Sequence, residues 1–154
     1  MRRLSKLSLA LLVTVFASPL PAQHPQGAAP NKQVFNAPNA RPGVLSAAVK
    51  VGDILYVSGQ LGTNAGALAE GGIQGQSRQA LENVKSALAL AGGTMEDVVK
   101  CTVFLADVKD FQAMNQVYRE FFPTNPPARS PVAVAGLVLA GAVVEIECIA
   151  AARK

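Results

Sequence analysis

The chain has no tryptophan, a single histidine and two cysteines among 154 residues. It also lacks any CxxC pair, Walker loop or GxGxxG run. The histidine, His24, lies in the Pro/Gly/Ala-rich stretch "QHPQGAAPNK", so the body of the chain offers no imidazole for a metal site or for a Ser/His or Cys/His couple. There is no apolar run long enough for a comfortable membrane span: the longest, "LSLALLVTVFA" from Leu7 to Ala17, is too short. There is no charge excess either. The formal +4 includes Arg2, Arg3 and Lys6, and without residues 1–22 the balance is 11 basic against 10 acidic residues, about +1. Near-neutral charge, no basic run and few aromatics argue against a nucleic-acid surface.

Half of the chain is apolar, which is ample for one core in one domain. The basic start, the short apolar run and the small-residue exit "SPLPAQ" read as a secretory signal over residues 1–22, cut after Ala22. This implies export to a periplasm or the medium with no stable membrane anchor left after removal; an uncleaved N-terminal anchor is the competing reading. Residues 23–31 read as a flexible tether, and residues 32–154 as the single domain.

Within that domain "KQVFN" reads as a short strand. "VLSAAVKVGD" and "ILYVSGQLG" read as two strands joined at Gly52–Asp53, a hairpin signal. After the loop "TNAGALAEGG", Ala80, Leu81, Val84, Leu88 and Ala91 recur at helical spacing up to a Gly-Gly stop. A β-branched strand follows over Val98–Leu105. Phe111, Met114, Val117, Tyr118 and Phe121 then mark a second helix, halted before Pro123 and read as core. "SPVAVAGL" and "AVVEIECIAA" close the pattern as strands around a turn at Gly141. The order implies an α+β domain with two helices packed on one face of a mixed sheet. Cys101 and Cys148 fall on the apolar faces of their strands; two buried free thiols are the favoured reading, with a disulfide left open.

Two places carry chemistry. In "NPPARSPVAVAGL" three prolines stiffen the backbone around Arg129. A guanidinium held this way grips a carboxylate or phosphate through two parallel hydrogen bonds at little entropic cost. A structural ion pair, with an acid of this chain or of a neighbouring subunit, is the commoner use of such a residue, and the stretch alone leaves both open. In the last strand the period of two puts Glu145 and Glu147 together on one face, about 6.6 Å apart. Such a pair is usually a solvated face, but one carboxylate lining a cleft with Arg129 would order or activate a water.

"VKVGDILYVSGQLG", "ALENVKSALALAGG", "VVKCTVFLADVKDFQAMNQVYREFF", "PPARSPVAVAGL" and "VEIECIA" together, in this order, resemble the Rid family of reactive intermediate deaminases, also called YjgF-like and L-PSP endoribonuclease-like. The resemblance implies a chorismate-mutase-like protomer and a homotrimer with clefts between subunits. It implies hydrolysis of 2-imino or 2-enamino acids, such as 2-aminoacrylate or 2-iminobutanoate, to 2-keto acids and ammonia, without cofactor or metal. It matches Arg129 to the arginine that binds the substrate carboxylate and Glu145 to a glutamate that handles water, the two carrying catalysis. Ser58 and Gly59 match a segment walling the cleft, and Asn115 another cleft position. Two positions depart from the family pattern. Leu45 stands where an aromatic in a "PYSQ"-like context is frequent, and Pro131 where a cysteine often follows "ARS". A carboxylate-binding protein without turnover is therefore the alternative, and RNA cleavage a third reading.

Overall fold

The computed structural model describes residues 31–38 and 43–152. The signal and tether assigned to residues 1–31, and His24, therefore lie outside the described residues, Asn31 excepted. The strands are β1 (Lys32–Phe35), β2 (Ala48–Val51), β3 (Ile54–Leu61), β4 (Thr63–Asn64), β5 (Ala67–Leu68), β6 (Val98–Leu105), β7 (Ala128–Ala133) and β8 (Val144–Ala151). The helices are α1 (Gly72–Leu90) and α2 (Phe111–Phe121). Six strands form one sheet in the order β1-β2-β3-β8-β6-β7, and β4 and β5 pair as a separate ladder inside the stretch read as a loop. The β6–β7 pair is parallel and the others antiparallel, so the sheet is mixed.

Alternation along the central strands explains the layering. Leu55 and Val57 of β3, Cys101, Val103 and Leu105 of β6, and Val144, Ile146 and Cys148 of β8 are all buried on one face. Ala80, Leu81, Val84 and Leu88 of α1 and Met114 and Val117 of α2 close over them. A buried glutamine ties α1 to the start of β8. Gln76 Nε2 donates to the Gly141 carbonyl at 3.1 Å and its Oε1 accepts from the Val143 amide at 2.9 Å. Arg78 of α1 and Glu120 of α2 make a two-pronged ion pair across the helices. Both side chains are half exposed, so this pair contributes little to stability.

Among the described residues no helix covers the opposite face of the sheet. Its central row runs Val34, Val49, Tyr56 and Ile149 across four paired strands, with Val34 and Tyr56 nearly half exposed.

The cysteines correct the expectation of free thiols. Cys101 and Cys148 face each other across the antiparallel β6–β8 pair and are joined as a disulfide, with Cα atoms 4.1 Å apart and both side chains buried.

Candidate active site

Arg129 is the second residue of β7, where the parallel register sets it beside Cys101. It therefore shares the helix-side face of the sheet with Cys101 and meets α2. Its guanidinium carbon sits 4.3 Å from the centroid of the Tyr118 ring and 5.9 Å from that of Phe111. One guanidinium nitrogen, Nη1, reaches Met114 Sδ at 3.9 Å. These neighbours are a π-face and a weak sulfur acceptor. Among the described residues no carboxylate lies within ion-pairing distance of Arg129. The structural ion pair within the chain is thus not made, and most of the five guanidinium N–H groups keep capacity for a ligand.

The opening beside it is a cleft of about 520 Å³ formed by α2, the chain leading to β7, and β7 itself. Asn115, Tyr118, Arg119, Arg129 and Pro131 line it. Asn115 is only 8% exposed, and its Oδ1 is buried without a hydrogen-bond partner among the described residues. The Tyr118 hydroxyl is likewise buried and unpartnered. Burial pushes the Tyr118 phenol up to about 12, partly opposed by the positive charge of Arg129, so it stays protonated. Tyr118 was read in the sequence as core. The signal for more is its position three residues after Asn115, on the same helix face.

The other three expected site residues lie elsewhere in the protomer. Glu145 alternates with the buried Val144 and Ile146 and so points to the face without helices, paired with Phe104 on one side and Leu61 on the other. Its carboxylate lies directly over Gly59, where a Cβ would collide with Oε1. A side chain there would have to push the carboxylate end of Glu145 aside. Ser58 sits in the bulge between Val57 and Gln60; its hydroxyl donates to the Ser46 carbonyl at 2.6 Å and its amide to the Ala47 carbonyl at 3.1 Å. The structure thus brings Arg129 together with Asn115, and Glu145 together with Gly59. It separates the two groups by the thickness of the sheet. Leu45 is exposed, and Pro131 lies on the outer strand β7, where a missing N–H breaks no inner ladder. Among the described residues no group of three or more metal-ligating side chains is present.

Residues 35–152 match the family model described as Endoribonuclease L-PSP. The 2-iminobutanoate/2-iminopropanoate deaminase of Capra hircus is 46% identical over 110 residues, covering 70% of this chain and 80% of that one. Protein mmf2, mitochondrial, of Schizosaccharomyces pombe is 43% identical over 111 residues, covering 71% and 88%. The crystal structure of the YjgF gene product from E. coli superposes with a TM-score of 0.72 at 36% identity, over 79% of this chain and 99% of that one. The fold is that of a small α+β protein of the Rid type. The chain belongs to the Rid/YjgF family, the L-PSP family of the matching model. Three of the relatives, at 42–46% identity, carry the name 2-iminobutanoate/2-iminopropanoate deaminase, which supports Rid-type deamination in general terms for this chain.

Proposed function

We propose that the protein hydrolyses 2-imino and 2-enamino acids to 2-keto acids and ammonia. The observation that carries this reading is the Arg129 guanidinium, held over Tyr118 beside an open cleft with no acid to neutralise it. The substrate carboxylate takes both guanidinium prongs, and Asn115 borders the ligand. The enamine first tautomerises to the imine. Water then adds to the electrophilic C2, its oxygen forming the C–O bond while a proton goes to nitrogen. The hydroxyl proton of this adduct then passes to nitrogen as the C–N bond breaks, so that ammonia leaves and the C2 carbonyl of the keto acid forms. Fixing the carboxylate and one water supplies much of the acceleration, since the imine carbon is already electrophilic.

Glu145 is the group we assign to that water. It lies on the far face of its own sheet, so the assignment requires Glu145 and Arg129 to come from different subunits, in agreement with a homotrimer and intersubunit clefts. The open apolar row Val34–Val49–Tyr56–Ile149 supports self-association. Light scattering is expected to give three times the protomer mass; a monomer at micromolar concentration would dismantle the shared cleft. The buried disulfide agrees with export to an oxidising periplasm or medium, as does the signal-like start of the chain.

The test is keto-acid formation from 2-aminoacrylate or 2-iminobutanoate generated in situ. Acceleration over the uncatalysed reaction is expected, with KM raised about tenfold or more in Arg129→Lys, which keeps the charge and loses the two-pronged fit. A second reading is favoured by the separation of Arg129 from Glu145 within the protomer: a cleft that binds 2-keto acids without turning them over. Binding of 2-oxobutanoate with no acceleration by folded wild type would select it. RNA cleavage has little support, given the near-neutral charge and a described body without histidine.

A further inference from the structure

Arg119 follows Tyr118 in α2 and stands at the rim of the same cleft, exposed. The acid next to it in sequence, Glu120, is engaged by Arg78. Among the described residues no carboxylate lies within ion-pairing distance of Arg119 either. Within one protomer the described lining of the cleft therefore carries two guanidinium groups and no carboxylate.

The rest of the lining sharpens this imbalance. Four of the nine lining residues are prolines, which bring rigidity and no N–H. Beyond the two arginines, the polar side chains of the lining are Asn115 and Tyr118, whose Oδ1 and hydroxyl are both buried and unpartnered. A monocarboxylate on Arg129, with Glu145 assigned to the water at the reacting end, leaves Arg119 at the rim with no partner from its own protomer. Two like charges beside a low-dielectric wall attract a dianion more than either would alone.

We propose that the cleft selects acids with two anionic groups: a short 2-imino or 2-oxo dicarboxylate, its C1 carboxylate on Arg129 and its distal carboxylate on Arg119. The inference rests on the carboxylate-clamp reading above and names the substrate class of that same site. The two arginines differ in a way that suits the two ends. Arg129 is half-buried and stacked on an aromatic ring, which fixes the reacting end. Arg119 is exposed on a flexible stem, so the distal end tolerates different chain lengths. The cleft volume of about 520 Å³ holds either length with room for water.

The experiment measures binding of 2-oxoglutarate and 2-oxobutanoate to the full chain by calorimetry, in wild type, Arg119→Gln, Arg119→Lys and Arg129→Ala. It then compares KM for the corresponding imino acids made in situ. The dicarboxylate is expected to bind about fivefold tighter than the monocarboxylate in wild type. That advantage is expected to shrink as salt rises, to disappear in Arg119→Gln and to survive in part in Arg119→Lys. Equal binding of the two acids, or an advantage that persists in Arg119→Gln, overturns the inference. Arg129-dependent binding of the monocarboxylate with no gain from the second carboxylate overturns it alone. Failure of both acids to bind overturns it together with the clamp reading.

Discussion

Reducing the Cys101–Cys148 bridge is expected to cost about 4 kcal/mol of stability. The two cysteines are separated by 47 residues, and opening a loop of that length returns about this much conformational freedom to the unfolded chain. The sulfurs are shielded, with Cys101 fully buried and Cys148 2% exposed, so reductant reaches them through unfolding. The protein should therefore be unfolded in denaturant with and without reductant, at one fixed protein concentration, so that any subunit association contributes equally. Circular dichroism is the natural probe because the chain has no tryptophan. At about 2 kcal/mol per molar urea the midpoint should fall by about 2 M on reduction. Reduction removes no heavy atom from the core, so this comparison reads the cross-link more directly than the Cys101→Ala/Cys148→Ala double variant, which adds a packing loss on top. A midpoint that does not move on reduction would refute the reasoning. Two titratable thiols in the unreduced, denatured protein would refute the bridge itself.

Other expectations concern the clefts and their supports. Tyr118→Leu should raise KM for any carboxylate ligand several-fold by removing the face on which Arg129 rests, whereas Tyr118→Phe should keep the face and hold KM near wild type. In a Tyr56→Phe background the remaining phenol should ionise only near pH 12 in ultraviolet absorbance; ionisation near pH 10 would mean that Tyr118 is not buried. With its folded pKa above the unfolded value near 10, Tyr118 contributes fully below pH 10, and this stabilisation, about 2–3 kcal/mol, is lost as pH rises through 12. Gly59→Ala should displace the Glu145 carboxylate and lower kcat at little cost in stability, and a variant with wild-type kcat would show that nothing presses on that glycine. Gln76→Leu should cost about 2–4 kcal/mol in urea unfolding by stranding the Gly141 carbonyl and the Val143 amide.

Periodicity made the long elements legible. The spacing of Ala80, Leu81, Val84 and Leu88 locates α1, and the alternation around Glu145 and Glu147 locates β8, because burial on one face is a property of the local chain. Strand ends were less legible because partners set them. The strand read over residues 130–137 runs instead over Ala128–Ala133, ending where its partner β6 ends, with Ala133 beside Leu105. The strand read from Val44 begins at Ala48, since the chain before it is spent on the bulge, where Ser46 and Ala47 accept from Ser58. The disulfide escaped for a related reason. Both cysteines sit on the expected buried faces, but their meeting depends on β6 and β8 being neighbours in register, which no local pattern encodes. The site divides in the same way. Arg129 and Asn115 are brought together by β7 lying against α2, and Glu145 is set apart by the strand alternation already visible in the sequence.

The position of β8 has a consequence for how the chain is made. It is the last strand of the domain, yet it lies between β3 and β6 and is the sole link between the two halves of the six-stranded sheet. While a ribosome is still short of residue 144, β1–β3 and β6–β7 have no shared ladder and the second half of the bridge has not been synthesised. The two halves can pair within themselves during synthesis, but the sheet closes as one only when the C-terminal strand emerges. A message truncated before Val144 yields a product that lacks the strand joining the two halves of the sheet.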